Sequence, residues 1–402
     1  MTHPARVALV TTVPATLVFF RGQPTALRQR GYEVHAIASP GVELDDFAAA
    51  EGIAAHPIPM SRQTTPIHDV VALGRFIALF ARLRPAIVHA STLKCGLLSM
   101  VAARLTRRPV RVFHLHGMPH ETRTGIRRTI IRRSTQLACR LANVVICVGP
   151  SVREVAVREG IVPRDKTVVL ANGSANGVDT AGRFNPDRFG PDPRLTARER
   201  LGLPADALIV GYVGRLAVDK GIADLVTAWA RLRETYPATH LLIVGERDPS
   251  FPVPDAILAP LQADDRVHFT GRRPDPELAM LAMDVLTLPT YREGLPTVLI
   301  EANGMGTPVV ATDVTGCADA IVTGETGFLV PPHAPDALAA AIGRYLDDPD
   351  LRARHGAAGR ARVQRDFDPA GIRLATAELY DRALVAHGQR PPNLPETGDP
   401  CR

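Results

Sequence analysis

Two acidic residues, Glu293 and Glu301, lie eight positions apart around the predicted start of an apolar helix. Eight residues are just over two helical turns, so the two carboxylates would share a face if both residues were helical. The first turn of a helix leaves backbone N–H groups without partners, and we expect those at Leu295, Pro296 and Thr297 to meet phosphate oxygens. The alternative is an acid that favours the helix dipole together with one solvated glutamate.

Two basic residues follow a predicted strand, next to a glycine. Arg215 comes directly after Gly214, and Lys220 is one of only three lysines in the chain. An arginine fork, a lysine point charge and backbone N–H groups exposed by a glycine together suit a diphosphate. The alternative is a basic turn whose charges pair with Asp219 or Asp224.

Histidines mark the end of another predicted strand, where His116 precedes Gly117 and His114 lies two residues earlier on the same face. A histidine in this position can hydrogen-bond a sugar hydroxyl, although packed or solvated histidines remain the alternative. We predict no metal site. No Cys or Asp set completes a zinc site, and the Asp-Pro-Asp pattern at 348–350 follows a helix, so we interpret it as a turn.

Arginines cluster with isoleucines between residues 104 and 133. The basic residues are Arg104, Arg107, Arg108, Arg123, Arg127, Arg128, Arg132 and Arg133. This pattern is typical of a basic amphipathic surface that contacts anionic lipid, although a solvated arginine-rich helix is the alternative. Nucleic acid is not expected, because no aromatic stacking platform accompanies the charges.

The elements that must position these residues alternate between short β-branched strands and helices, which predicts an α/β fold with doubly wound parallel sheets. At about 150 residues per domain, 402 residues correspond to two or three domains. The alternation breaks in a stretch rich in Pro, Gly and Asn at 172–205. We therefore predict two Rossmann-like domains, at 1–185 and 186–370. They face each other across a deep cleft and are followed by a helix at 371–387, which can cross back to the first domain, and a flexible tail at 388–402.

Composition narrows the class further. The chain is 46% hydrophobic and 22% charged, with a net charge of +6, which is typical of globular proteins. Its five cysteines form no CxxC pair, and the longest uncharged N-terminal run is too short to span a bilayer. We expect a cytoplasmic protein with reduced thiols.

Taken together, these motifs resemble the retaining glycosyltransferases of family 4, which have the GT-B fold. The most specific segment is Tyr-Arg-Glu-Gly-Leu-Pro from Tyr291 with Glu301-Ala, which is similar to the family's E-x7-E signature. Gly-Arg at 214–215 with Asp-Lys-Gly at 219–221 resembles its donor-diphosphate site. Segments near the first strand and at 89–96 (His-Ala-Ser-Thr-Leu-Lys-Cys-Gly) resemble the branch that builds capsules and lipid-linked oligosaccharides.

The resemblance implies a role for each site residue. Arg215 and Lys220 would neutralise the donor diphosphate, Glu293 and His116 would contact the donor sugar, and Glu301 would hold the ribose hydroxyls. His114 is the fallback for His116. Two further contacts follow from the same resemblance: Arg272 near the nucleotide base, and Gly22 in a loop that carries a Gly-Gly pair in many family members and lacks that pair here.

The reaction implied is transfer of a sugar of the N-acetylated hexosamine type from a UDP-sugar to a polyprenyl-diphosphate-linked sugar, without a metal or other cofactor. The protein would lie on the cytoplasmic face of the membrane and contact anionic lipid through its N-terminal domain. Two alternatives remain open at this point: a non-catalytic subunit that binds sugar nucleotides, and a GT-B epimerase of sugar nucleotides.

Overall fold

Strands and helices alternate along the whole chain, and the computed structural model describes this alternation over residues 4–61 and 65–392. The strands form one sheet of seven and one of six, and their ladders are parallel. Helices connect successive strands, as parallel pairing requires. The predicted α/β class with two Rossmann-like sheets is confirmed.

The first unit is formed by the chain up to Asn176 together with the segment from Ala370 onward. Its strands are β1 (Arg6–Thr11), β2 (Glu33–Ala38), β3 (Ala54–Pro57), β4 (Ile87–Ser91), β5 (Val110–Leu115), β6 (Val144–Cys147) and β7 (Thr167–Val168). Its helices are α1 (Gln23–Gln29), α2 (Val42–Glu51), α3 (Pro66–Leu83), α4 (Leu93–Leu105), α5 (Gly125–Leu141) and α6 (Pro150–Arg158). The sheet order is β3-β2-β1-β4-β5-β6-β7, so the order reverses between β1 and β4.

The second unit runs from Gly177 to Pro369. Its strands are β8 (Leu208–Val213), β9 (Thr239–Val244), β10 (Val267–Gly271), β11 (Val285–Leu288), β12 (Val309–Thr312) and β13 (Gly327–Val330). Its helices are α7 (Pro193–Leu201), α8 (Ile222–Thr235), α9 (Asp255–Gln262), α10 (Pro276–Ala282), α11 (Thr297–Gly304), α12 (Cys317–Ala320), α13 (Pro335–Asp347) and α14 (Pro349–Asp366). The sheet order is β10-β9-β8-β11-β12-β13, which reverses between β8 and β11.

The last helix, α15 (Pro369–Ala386), returns to the first unit. Tyr380 and Leu384 are fully buried in the hydrophobic core that the first sheet forms with its helices. The hydroxyl of Tyr32 donates a hydrogen bond to Asp381 on the same helix. Burial of these side chains removes apolar area from water, which favours docking of the helix at roughly 25 cal/mol per Å².

The boundary between the units lies earlier than residue 185, where the sequence placed it. The chain passes into the second unit at Gly177, because the amide of Val178 donates a hydrogen bond to the carbonyl of Phe367 at 2.9 Å. Phe184 is also buried. From Gly177 on, the Pro- and Gly-rich stretch is thus packed as part of the second unit and contains helix α7.

Three short strands were not predicted: β3, β7 and β13. β3 and β7 lie at the two edges of the first sheet and carry few buried side chains, which gives the sequence pattern little signal. At Asp348, the predicted turn is a helix junction, since its Oδ1 accepts the amide of Leu351 at 2.8 Å and caps α14. Of the predicted tail, residues 393–402, including Cys401, lie outside the described residues.

Candidate functional site

The carboxyl ends of β8 and β11 lie side by side where the order of the second sheet reverses. Ligands of open α/β sheets bind at such a reversal, beyond the carboxyl ends of the strands. Arg215 follows β8, and Glu293 follows β11. The topology therefore brings the two predicted motifs to one edge of one sheet.

Lys220 and Glu293 meet directly at this edge. Lys220 Nζ forms an ion pair with Glu293 Oε1, and the two side chains are only 16% and 12% exposed. Charges this enclosed must be paired, because an isolated ion loses its hydration without compensation. The carboxylate of Glu293 thus holds the lysine in place at the edge of the sheet.

Backbone geometry fixes both partners. Gly221 has φ +68°, and a Cβ there would collide with the carbonyl of Pro289, so only glycine fits between Lys220 and helix α8. On the other side, the carbonyl of Asp219 accepts hydrogen bonds from the amide of Tyr291 (2.9 Å) and from Oγ1 of Thr290 (3.2 Å). These contacts tie the loop after β8 to the loop after β11.

Arg215 is held differently. Its guanidinium forms an ion pair with the buried carboxylate of Asp248, while the arginine side chain remains 47% exposed. Its carbonyl accepts the hydroxyl of the buried Tyr212 at 2.7 Å, and Gly214 donates its amide to Val244 at 2.9 Å. The guanidinium is therefore oriented by Asp248 and still reachable from solvent.

The start of helix α11 supplies fewer donors than predicted. Pro296 has no N–H and cannot donate a hydrogen bond to phosphate, so the prediction of an amide donor at this residue is wrong. The prediction of amide donors is kept for its neighbours. Leu295 and Thr297 retain their amides, and within the described part of the chain neither amide donates a hydrogen bond. Thr297 is the first residue of the helix, where the dipole favours an anion.

Glu301 lies one turn further along α11, near an ion pair between Arg183 and Glu277 (Nε to Oε2, 2.9 Å). Burial, reinforced by the charge of Glu277 and opposed by that of Arg183, raises the pKa of Glu301 to about 7. Among residues 4–61 and 65–392, its carboxylate accepts no hydrogen bond. Such a carboxylate gains from a ligand that donates hydroxyl groups.

Arg272 follows β10 directly and is exposed. Because β10 is the edge strand next to β9, Arg272 lies two strands from β8 along the same carboxyl edge. The next residue, Arg273, forms a two-pronged ion pair with Asp275 (2.9 Å each). Arg272 and not its neighbour is therefore open to a ligand.

Sequence reasoning did not assign several neighbours of this site. Asp248 orients Arg215, and the ring of Tyr291 stacks on His333 with centroids 3.9 Å apart. Arg292 lies 3.4 Å from Asp219, and its buried Nε has no hydrogen-bond partner among the residues that the structure describes. The only signal for Tyr291 and Arg292 was their place beside Glu293, whereas Asp248 and His333 are distant in sequence.

In the first unit, His116 follows β5 and is partly exposed. Its ring is stacked between Phe19 (centroids 4.6 Å apart) and His114 (4.2 Å), and its Nε2 is hydrogen-bonded to Ser91 Oγ. Burial lowers the pKa of His116 to about 4, so the ring is neutral at pH 7. His114, the fallback, is buried in the stack, which leaves His116 as the accessible histidine.

Gly22 is placed less favourably than predicted. Its amide donates a hydrogen bond to Glu51 Oε1 at 2.5 Å, and Thr25 donates to the other oxygen of that carboxylate at 2.8 Å. The side chain of Arg373 also lies against the Cα of Gly22. Its N–H is therefore already satisfied within the protein, and a ligand would have to displace Glu51.

The first two turns of α5 are fully on the surface. Residues 124–130 are all exposed, with Ile126 at 77% and Ile130 at 54% beside Arg127 and Arg128. No helix in the part of the chain that the structure describes combines the length and apolarity needed to cross a membrane. The same part holds no cluster of three or more His, Cys, Asp or Glu side chains suited to a metal ion.

Comparison with known proteins decides the family. The model described as "Glycosyltransferase Family 4" matches residues 25–180, and that described as "Glycosyl transferases group 1" matches residues 193–362. The capsular polysaccharide biosynthesis glycosyltransferase CapM of Staphylococcus aureus is 31% identical over 375 residues, which are 93% of this chain and 96% of CapM. The chain belongs to the family 4 glycosyltransferases. The predicted enzyme class is thus confirmed, against the alternative of a non-catalytic subunit.

Solved structures support the fold of this glycosyltransferase. Sucrose-phosphate synthase from Thermosynechococcus elongatus superposes with a TM-score of 0.76 at 25% identity, covering 95% of this chain and 100% of that one. HepE from Anabaena, solved in complex with UDP, superposes with a TM-score of 0.77 at 21% identity over 94% of this chain and 100% of HepE. The GT-B fold predicted for the glycosyltransferase is confirmed.

Proposed function

We propose that this glycosyltransferase moves a sugar of the N-acetylated hexosamine type from a UDP-sugar to a polyprenyl-diphosphate-linked sugar, with retention of the anomeric configuration. The likeness to CapM supports a role in the assembly of a capsule or another cell-surface polysaccharide. The UDP and UDP-glucose bound in HepE structures support a UDP-sugar as donor.

The observation that carries the proposal is the pair of cations at the carboxyl edge of β8 and β11. Arg215 is exposed for half of its side chain, and Lys220, a few residues after Arg215 in the chain, is held by Glu293. The amides of Leu295 and Thr297 lie in the loop and helix start that follow β11. Two positive charges and two free amides suit the diphosphate of a nucleotide sugar.

These groups supply the catalytic power without a metal ion. When the anomeric C–O bond breaks, its electron pair stays on the departing diphosphate, whose charge the two cations and the amides stabilise. An acceptor hydroxyl forms the new bond on the same face of the sugar, and its proton passes to a diphosphate oxygen. One well-placed hydrogen-bond donor at such a charge lowers the activation free energy by roughly 3–4 kcal/mol.

The remaining site residues bind and orient the donor. Glu301 accepts hydrogen bonds from the two ribose hydroxyls, which replace the partners its carboxylate lacks. Arg272 lies further along the same edge, toward the base. Glu293 and His116 each contact a sugar hydroxyl, and His116 does so as a neutral ring.

The lipid part of the acceptor calls for a membrane surface. Helix α5 presents Arg127 and Arg128 beside the exposed Ile126 and Ile130. This combination suits the anionic surface of the cytoplasmic leaflet, with arginines on phosphates and isoleucines in the acyl boundary. We place the enzyme there as a peripheral protein.

A donor screen tests the proposal. The enzyme is incubated with individual UDP-, GDP- and dTDP-sugars in EDTA, with and without a short polyprenyl-diphosphate sugar, and release of the nucleoside diphosphate is followed. Acceptor-dependent release of UDP, with an α-linked product from an α-linked donor, is expected. Conversion without acceptor would point to an epimerase, an inverted linkage would overturn the retaining assignment, and loss of activity in EDTA would overturn metal independence.

A further inference from the structure

The ring of His116 is fixed on three sides. Phe19 and His114 cover its two faces, with interplanar angles of 22° and 21°, so the ring cannot swing out of its plane without losing both stacks. In that plane, Nε2 meets the hydroxyl of Ser91. The other nitrogen, Nδ1, has no hydrogen-bond partner within the described residues.

Ser91 reaches the ring from the neighbouring strand. It is the last residue of β4 and pairs with His114 of β5, two residues before His116. Its side chain is completely buried, and in the part of the chain that the structure describes, its Oγ has His116 as its single hydrogen-bond partner. The direction of the hydrogen bond between Ser91 Oγ and His116 Nε2 therefore decides whether the hydroxyl proton has an acceptor.

The hydrogen bond between Ser91 and His116 can run in either direction, and only one direction gives the hydroxyl proton of Ser91 an acceptor. If Nε2 carried the hydrogen and donated it to Oγ, the buried hydroxyl proton would have no acceptor, which incurs its full desolvation cost. If Oγ–H donates to Nε2, every buried proton of the pair is satisfied. The ring is neutral and carries one hydrogen, which must then be on Nδ1.

We propose that Ser91 is a positioning residue that holds His116 in the Nδ1–H tautomer, so that the free nitrogen donates a hydrogen bond to a sugar oxygen of the substrate. The role of the donated bond rests on the proposed function, whereas the tautomer itself does not. A ring in the opposite tautomer would accept there instead and would select a different hydroxyl orientation. Ser91 thus determines whether Nδ1 of His116 donates a hydrogen bond to the sugar or accepts one from it.

The tautomer is measured by NMR on the full chain with ¹⁵N-labelled histidine rings, and the His116 signals are identified by their loss in His116→Asn. A protonated Nδ1 and an unprotonated, hydrogen-bonded Nε2 are expected at pH 7. Ser91→Ala is expected to move both ring nitrogens toward a mixture of tautomers, and Ser91→Thr, which keeps the hydroxyl, is expected to restore the wild-type pattern. A wild-type ring protonated at Nε2, or a pattern that Ser91→Ala leaves unchanged, would overturn the proposal.

Turnover then tests the donated bond separately. The amide nitrogen of His116→Asn can occupy the position of Nδ1 and donate, whereas His116→Gln places its amide nearer the position of Nε2. We expect the Asn variant to keep about tenfold more kcat than the Gln variant, the value of one neutral hydrogen bond. Equal kcat values in the two variants, with the Nδ1–H tautomer in place, would leave the serine's effect standing and overturn the substrate contact assigned to His116.

Discussion

Lys220 and Glu293 form an ion pair between two loops that follow neighbouring strands of one sheet. Lys220 lies two residues before the start of α8, and Glu293 lies four residues before the start of α11. The pair therefore lies where two helix dipoles present their positive ends. On the proposed function, a diphosphate bound at this edge would compete with Glu293 for the lysine. Binding of the donor would thus free the carboxylate for a sugar hydroxyl.

Glu293→Gln tests this exchange. The amide keeps the shape of the side chain and removes its charge, so we expect kcat to fall by about 10²–10³-fold while UDP still binds. Lys220 loses its partner, and the free energy of unfolding should fall by about 1–3 kcal/mol. Steady-state kinetics, UDP titration calorimetry and urea unfolding measure the three quantities.

The matched control is the double variant Lys220→Met with Glu293→Gln. It removes the unpaired charge, so its loss of stability should be smaller than the sum of the two single losses. UDP affinity, in contrast, should fall in the double variant because the lysine is gone. Additive stability losses would show that the two side chains do not interact as the structure places them.

Arg215→Ala should act on transfer with little effect on folding. The guanidinium is half exposed, and its partner Asp248 keeps a hydrogen bond from the amide of Ser250 at 2.7 Å. We expect kcat/KM for the donor to fall by about 10²–10³-fold, the cost of one charge-stabilising group. Arg215→Lys should recover part of the loss, since it keeps the charge and lacks the fork. Wild-type kcat/KM in the Ala variant would remove Arg215 from the diphosphate site.

Much of the fold can be predicted from the sequence because the central strands are buried on both faces. The sequences of β8 and β11 are mainly apolar runs, followed by Gly214 and Pro289, so the sequence predicts that both motifs follow the carboxyl ends of strands. The edge strands β3 and β7 lack such runs. The boundary at Gly177 was missed because packing of the following loop on Phe367, and not local composition, decides where the second unit begins.

The sequence predicts site residues only where they lie close together along the chain, within one motif. Glu293 and Lys220 were predicted from local motifs, and the structure adds that they pair. Ser91 and Asp248 were missed because their importance arises from pairing across strands, which no local spacing encodes. Pro296 was assigned to phosphate by its position alone, although its missing N–H already excluded it.

Glu301 predicts a pH dependence of stability. Burial raises its pKa from 4.5 to about 7 in the folded protein, so between these values the folded chain holds a proton that the unfolded chain has released. Stability therefore falls as pH rises through this window, by up to about 3 kcal/mol. Urea unfolding of the wild type and Glu301→Gln from pH 5 to pH 8 should show the variant gaining in relative stability as pH rises. Parallel curves for the two proteins would contradict the raised pKa.

Ribose binding should reverse that shift, since hydroxyl groups that donate to Glu301 favour its ionised form. UDP is then expected to release a proton when it binds near pH 6, and to bind more tightly as pH rises toward 8. Calorimetry in buffers of different ionisation enthalpy measures the proton. The matched control ligand is the 2′,3′-dideoxy analogue of UDP, which keeps the diphosphate and should release less. Equal proton release by both ligands would separate Glu301 from the ribose.

The surface of α5 predicts binding to anionic membranes. Each arginine near such a surface contributes roughly 1 kcal/mol, so reversing Arg127 and Arg128 to Glu should weaken binding to phosphatidylglycerol vesicles by about 30-fold or more. The matched control reverses Arg200 and Arg354, which are exposed on the second unit, and thus makes the same change in net charge. Sedimentation with vesicles at low salt is expected to separate the two variants, because α5 combines its charges with the exposed side chains of Ile126 and Ile130. Equal weakening in both would mean that net charge alone governs the binding, and binding of neither variant nor wild type would remove the membrane from the proposed function.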